Sequence, residues 1–258
     1  MIKLTSENYF SPESNKQYMS VSQFKAFENC PASTLAELRG TYTKPKSTAL
    51  LVGSYVDAHF EGSLDLFKAQ NPEIFTLKGD LRADYRNAEI IINRAEQDGL
   101  FMSYMDGEKQ VIMTGEIEGV PVKIKIDAYQ PDVCITDLKC MKDFKPIYVE
   151  EKGRLNFVEA WGYDLQGAVY QEIVRQNTGK QLPFFICAIT KEATPDLAVI
   201  EIPQSYLDVE LERFKKNVQL YDGMKRGIFP APRCEKCDFC KETKVLTKPI
   251  SLAEMEFE

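Results

Sequence analysis

Asp127, Asp137 and Lys139 are the residues of this 258-residue chain whose types and spacing most directly imply chemistry. Val122, Ile124 and Ile126 alternate with Lys123, Lys125 and Asp127, a period of two that predicts a strand ending at Asp127. Pro131-Asp132 predicts a turn, and Val133 to Cys140 the next strand. Residues two apart on a strand share a face, so Asp137 and Lys139 point the same way, and a hairpin brings Asp127 alongside. Two carboxylates beside one lysine suit a hard divalent cation, since Mg2+ takes one or two protein carboxylates and keeps several waters. Such an ion lowers the pKa of a bound water and stabilises charge on a phosphoryl oxygen. Lys139 would orient that water or neutralise the phosphate. The same spacing also fits a solvated salt-bridge face on a hairpin. Against that, the charged pair in VCITDLKC interrupts an apolar run, and a buried pair needs a reason.

The composition narrows the alternatives. His59 is the single histidine, which excludes two-histidine zinc proteases, His/Cys zinc fingers and HNH-type nucleases. A Ser-His-Asp triad could be built only on that residue. The net charge of −7 gives no global attraction for nucleic acid. Basic residues nevertheless gather locally: Arg39, Lys44 and Lys46; Lys123, Lys125, Lys139, Lys142 and Lys145; Lys225, Arg226, Arg233 and Lys236. Phosphate contacts from such patches could supply binding, the alternative being solvated lysines on strand edges. No base-reading motif and no P-loop are present, so sequence-specific cleavage and a built-in ATPase motor are not expected. No run approaches the roughly 18 apolar residues of a membrane span, and the N-terminus carries no signal-peptide hydrophobic region. A cytoplasmic protein without a membrane partner is expected. In a reducing compartment clustered cysteines point to metal. Cys234, Cys237 and Cys240 have two consecutive CxxC spacings, which let thiolates converge on one centre, with Cys30 the candidate fourth ligand. Cys134, Cys140 and Cys187 fall in predicted strands and read as small buried hydrophobes.

The elements that must position these groups follow from periodicity. Helices are expected over residues 20–40, 48–67, 84–98, 156–176 and 206–225. A polar break, Lys44-Pro45-Lys46-Ser47, separates the first two. Strands are expected over 110–117, 122–127 and 133–140 as a three-stranded meander, then over 182–190. Helices, three strands, helix, strand, helix describe one α/β (α+β) domain over residues 1–258.

Asp127, nine residues, then Asp137-Leu138-Lys139 resembles the core of the PD-(D/E)XK nucleases. Gly53-Ser54-Tyr55-Val56-Asp57 stands where the RecB-like branch has its Gly-x-x-x-His motif, and Gln166-Gly167-Ala168-Val169-Tyr170 resembles that branch's Gln-x-x-x-Tyr motif. The order of elements is also similar, and within the branch the chain resembles phage and prophage exonucleases akin to the nuclease domain of RecE. The resemblance implies a central mixed sheet with a meander flanked by helices. It implies a Mg2+- or Mn2+-dependent exodeoxyribonuclease acting on double-stranded DNA ends, 5′ to 3′, in phage-type recombination with a single-strand annealing protein. Ring-shaped homo-oligomers are a further implication. Asp57, Asp127, Asp137 and the Leu138 backbone carbonyl would hold the metal, Lys139 would be the catalytic lysine, and Gln166 and Tyr170 would contact DNA; for these last two the alternative is a helix packing face. The departure is Asp57, a carboxylate where the family has an imidazole. His59, about 200° further round a helix, should face away. Glu116 is either a further metal carboxylate or an exposed strand residue. The context of Cys30 resembles RecB-like nucleases in which one N-terminal and three C-terminal cysteines hold a [4Fe-4S] cluster. That cluster would tie residues 20–40 to residues 230–242, with zinc as its rival. A non-catalytic DNA-binding or assembly module on the same fold is the other functional class considered.

Overall fold

The computed structural model describes residues 1–45, 48–150, 152–249 and 251–252. Lys46 and Ser47 of the polar break lie outside the described residues. The N-terminal part is helical: α1 (Pro12–Gln17), α2 (Val21–Asn29), α3 (Pro31–Leu38), α4 (Thr48–Phe60), α5 (Leu64–Gln70), α6 (Ala83–Glu96) and α7 (Gly99–Met105). The sheet region holds β1 (Glu108–Ile117), β2 (Val120–Gln130) and β3 (Cys134–Met141), followed by a small hairpin of β4 (Ile147–Val149) and β5 (Gly153–Leu155). Then come α8 (Phe157–Trp161), α9 (Tyr163–Thr178), β6 (Phe184–Thr190), β7 (Leu197–Glu201), α10 (Gln204–Lys225) and α11 (Asp238–Glu242).

Three expected helices are interrupted, each for a local reason. The helix expected over 20–40 splits at Cys30. The residue before a proline avoids the helical region, and Cys30 is extended (φ −160°, ψ 98°) with Pro31 opening α3. The helix expected over 48–67 stops at Phe60, where Gly62 turns left-handed at φ +77°. The helix expected over 156–176 is capped by the Asn156 side chain and divided at Gly162, φ +61°. Helix α7, strand β7 and the β4–β5 hairpin were not anticipated by periodicity.

Five strands form a mixed sheet in the order β1-β2-β3-β6-β7, parallel only between β3 and β6, which α9 connects. One face packs on α2, α9 and α10 through residues such as Phe24, Ile124, Ile173 and Phe214. The other packs on α4, α6 and α7 through Tyr55, Ile91, Phe101 and Leu138. At Gly167 an added Cβ would meet the Phe184 ring at 2.5 Å, so glycine is what lets α9 lie directly on β6.

The sheet is closed by pairing at Ala128↔Thr136 and beyond, but toward the start of β2 the two strands part. The alternation of β2 also breaks there: Ile126 belongs to one core layer and Ala128 to the other. Met19 occupies the β2 edge that β3 leaves, its N–H donating to the Pro121 carbonyl and its carbonyl accepting from Lys123 N–H. This segment is pinned by Lys123, whose buried ammonium donates to the carbonyl of Tyr9 (2.5 Å), to Ser14 Oγ and to Asn15 Oδ1 (both 2.8 Å). Burial pushes its pKa down to about 8. Lys123 is therefore not the DNA-facing cation its place in the sequence implied. Lys123→Ala strands a buried carbonyl and hydroxyl, and should lower stability by roughly 2–4 kcal/mol in chemical denaturation. A loss below about 0.5 kcal/mol would mean that the N-terminal segment is not held by this group.

Candidate active site

The parting of β2 and β3 opens a cavity of about 380 Å³. Asp127 makes it: its Oδ2 accepts the Leu138 N–H at 2.9 Å, so a side chain takes the place of a strand-to-strand bond. In an extended strand a residue's N–H and C=O leave the same edge, so the Leu138 carbonyl faces the same gap. Asp137 and Lys139 project from β3 and form an ion pair. Gln166, on α9, donates from Nε2 to Asp137 Oδ1 at 2.6 Å. Tyr170, one turn further, donates from its hydroxyl to the Lys125 carbonyl at 3.0 Å, which fixes β2 beside the gap. Asp57 reaches the cavity from α4, on the opposite layer of the sheet. Thus Asp57, Asp127, Asp137, Leu138, Lys139, Gln166 and Tyr170 all line one cavity.

Of the two readings of Glu116, the structure has the exposed strand residue. Glu116 is exposed, and its register partner is Pro121. It lies six residues along β1 from Gln110, about 20 Å at the usual rise per residue. The additional carboxylate in the cavity is Glu61, whose signal was its place four residues after Asp57 on one helix face; it pairs with Lys125 at 3.8 Å. Gln110 was also missed, and a glutamine in a strand gives no signal. It has φ +54° and donates from Nε2 to Asp127 Oδ1 at 3.1 Å. His59 lies outside the cavity lining and pairs with Glu96 of α6 at 2.8 Å.

The electrostatics are those of acids crowded out of water. Burial, then the charge of Asp127, pushes Asp57 up to about 8. Burial, opposed by Lys139 and reinforced by Asp127, raises Asp137 to about 7. For Lys139 burial works downward, but Asp137 and Asp127 hold the ammonium above the ordinary lysine range. Asp57, Asp127 and Asp137 crowd beside Lys139, while Glu61 pairs with Lys125, so the three aspartates share one buried ammonium where water cannot disperse their charge. The donors are all hard oxygens, and Gln110 Oε1 is buried without a hydrogen-bond partner among the described residues. This set fits a divalent cation of the Mg2+ or Mn2+ kind.

A second constellation sits at the chain ends. The thiols of Cys30, Cys234, Cys237 and Cys240 lie within 4.8 Å of one another. Cys30 Sγ is 3.6 Å from Cys240 Sγ, and Cys234 Sγ is 3.9 Å from it. The break that makes Cys30 extended also aims its thiol, which accepts the Ser33 N–H at 3.5 Å. Burial acts against the Cys234 thiolate, yet backbone N–H groups of Cys237 and Lys236 bring its pKa down to about 6. Cys134 and Cys187 are buried in β3 and β6, and Cys140 is half-buried in β3. Of the basic clusters, Lys44, Lys225, Arg226 and Arg233 are held in ion pairs with Glu37, Asp222, Asp222 and Glu235. Among the described residues no helix is long and apolar enough to cross a membrane.

A five-stranded mixed sheet split beside an Asp…Asp-x-Lys pair, with helices on both faces, defines a PD-(D/E)XK nuclease fold. The chain belongs to the family of PDDEXK-like domains of unknown function (DUF3799), which matches residues 20–243. It is 52% identical to a protein from Eubacterium rectale whose crystal structure is described as a "putative exonuclease"; the match covers 97% of each chain, with a TM-score of 0.94. No curated protein matches.

The raised Asp57 and Asp137 set a pH dependence. An unfolded aspartate titrates near 3.9 and folded Asp57 at about 8, so between these values the metal-free fold holds a proton that the unfolded chain releases. The stability this proton supplies is full below about pH 4 and lost as pH rises through about 8. A cation replaces that proton, so Mg2+ should raise Tm more at pH 8.5 than at pH 6, by roughly 2–4 °C for about 1 kcal/mol of binding. Equal shifts at both pH values would remove these carboxylates from the cation site.

Proposed function

We propose that the chain is a divalent-metal-dependent deoxyribonuclease that hydrolyses phosphodiesters from the ends of duplex DNA. The observation that carries this reading is the convergence of Asp57, Asp127, Asp137 and the Leu138 backbone on the gap beside Lys139. A Mg2+ or Mn2+ ion held by these oxygens would supply an activated water and charge neutralisation at the phosphoryl group. The protein's own part is positional. Gln166 and Lys139 fix Asp137 from two sides, and Asp127 is fixed by the Leu138 N–H and Gln110. Because Asp137 and Asp127 keep Lys139 protonated, it serves as a hydrogen-bond donor and positive charge toward the scissile phosphate, not as a base. Gln166 and Tyr170 hold protein groups and act on DNA through them. The likeness to an E. rectale chain described as a "putative exonuclease" supports end-dependent action. The 5′ to 3′ polarity, the phage-type recombination setting, an annealing-protein partner and a ring-shaped oligomer rest on the family resemblance alone. A non-catalytic DNA-binding module is disfavoured by the intact Asp-x-Lys pair.

Asp137→Asn and Lys139→Ala should each reduce Mg2+-dependent degradation of linear duplex on the order of 10³-fold, with circular duplex resistant throughout. Asp57→Ala should do likewise, whereas His59→Ala should not. Full activity of both the Asp137 and Lys139 variants would remove catalysis from this cavity.

We further propose that residues 1–258 act as one nuclease domain whose two ends are tied by metal in the four-cysteine centre, a structural role since hydrolysis needs no electron. The resemblance favours a [4Fe-4S] cluster. The sulfur spacing favours zinc: thiolates about 2.3 Å from one tetrahedral ion stand about 3.8 Å apart. Thiolates each bound to a separate iron of a cube stand roughly 6 Å apart. The 3.6 and 3.9 Å contacts, with all four sulfurs within 4.8 Å of one another, lie nearer the single-ion spacing. Metal analysis of protein prepared anaerobically should find one zinc per chain and no iron. Four iron and four sulfide with brown colour would reverse that assignment. Cys30→Ser should lower Tm and metal content together.

A further inference from the structure

A second groove, of about 690 Å³, begins where the cavity ends. Tyr163 links them: its ring centroid lies 4.9 Å from Nζ of Lys139, which lines the cavity, and Tyr163 itself lines the groove. The groove follows β3 outward from Lys139 through Cys140 and Met141 to Lys142. Its lining includes Trp161, Leu50 and the cations Lys142, Lys145 and Lys191, with Asp143 as the acid. The carboxylate of Asp143 is engaged locally, accepting the Lys145 N–H at 3.0 Å.

Trp161 is the chain's single tryptophan and is 55% exposed. Leu50 beside it is 64% exposed. Its large aromatic face is therefore open to solvent beside the lysines that line the same groove. Its backbone is fixed from three sides. Asn156 caps α8, Gly162 ends it in the left-handed region, and Lys25 Nζ donates to the Trp161 carbonyl at 2.9 Å. Lys25 also lies 5.5 Å from the Tyr163 ring, so one side chain ties the aromatic rim to the cavity.

An aromatic face flanked by cations is the physical pattern that binds single-stranded nucleic acid: bases stack on the ring and phosphates meet the lysines. The interior of a duplex is excluded as the occupant of the ring, since its base faces are covered within the stack, whereas an unpaired segment offers a face at every base. Positive charge gathered here in a chain of net charge −7 makes the groove a local exception to the global field. We propose that this groove binds the unpaired DNA segment running from the phosphate at Lys139, with a base stacked on Trp161 and phosphates at Lys142, Lys145 and Lys191. The proposal deepens the nuclease reading and rests on it, because it supplies the substrate form, a frayed single strand, that the neighbouring site would act upon.

The lone tryptophan makes the test direct. The full chain is titrated with short oligothymidylate in metal-free buffer while Trp161 emission is followed, and binding is measured independently by anisotropy of a fluorescein-labelled oligonucleotide. Emission should be quenched in step with binding. Trp161→Ala should weaken binding about tenfold or more, Trp161→Phe should keep most of it, and Lys142→Ala with Lys145→Ala should flatten the salt dependence. Binding without any change in Trp161 emission, or unaltered binding by Trp161→Ala, overturns the groove. Degradation of linear duplex by the same protein in Mg2+ is read in parallel. Degradation with no oligothymidylate binding removes the groove and leaves the nuclease reading intact. Quenching with no degradation removes the nuclease reading and leaves a single-strand site.

Discussion

The hydrogen bond from the Leu138 N–H to the Asp127 carboxylate is the contact on which the rest of the site depends. A strand interior ordinarily satisfies each N–H with a neighbouring strand's carbonyl. Here a side chain does so, and the consequence is a gap between two core strands instead of a continuous sheet. A gap in the middle of a sheet is reachable from both of its faces. That is why Asp57 from one helical layer and Gln166 from the other meet the same two strand residues. The opening would also strand the far edge of β2, and Met19 pairs with that edge. Lys123 then fixes the same segment from beneath, so the geometry of the gap and the N-terminal packing are parts of one arrangement.

The acids in the gap are unfavourable for the metal-free fold, as the upward shifts of Asp57 and Asp137 express. Such strain persists only where surrounding structure overdetermines it. Two apolar layers do so here, one on each face of the sheet, and Gly167 brings α9 close enough for Gln166 to hold Asp137. The chain ends, which would fray first in an α/β domain, meet where Cys30 approaches Cys240. Stability is therefore concentrated around a centre that by itself opposes folding.

Much of this was legible in the sequence because it follows from short-range geometry. Period-two alternation located β2, and the i, i+2 relation put Asp137 and Lys139 on one face. The two CxxC spacings located the thiolate centre. The break at Cys30 was also written there, as the residue before Pro31, but the apolar pattern across it outweighed that signal. What was not legible depends on tertiary choice. Glu61 and Glu116 are both acids near predicted strands or helices, and only the docking of α4 against β3 selects Glu61. Lys123 alternates like a solvent-facing strand residue, and only the N-terminal segment makes its face an interior. Gln110 carries no charge and no periodic signal, yet its left-handed backbone turns its amide onto Asp127.

The absence of a second histidine has a chemical meaning once the two centres are compared. Imidazole is a borderline ligand that binds zinc, copper, iron and nickel, so a histidine in the gap would admit those metals alongside Mg2+. With Asp57 in that position and His59 turned to Glu96, the gap offers oxygen alone. The four thiolates at the chain ends offer sulfur alone. The two donor sets thus differ in hardness. A hard, exchangeable ion would suit the oxygens of the gap. A soft, tightly held one suits the ends, where nothing needs to be exchanged. Separating donor types in this way would let one fold keep a permanent structural metal in the presence of an exchangeable one.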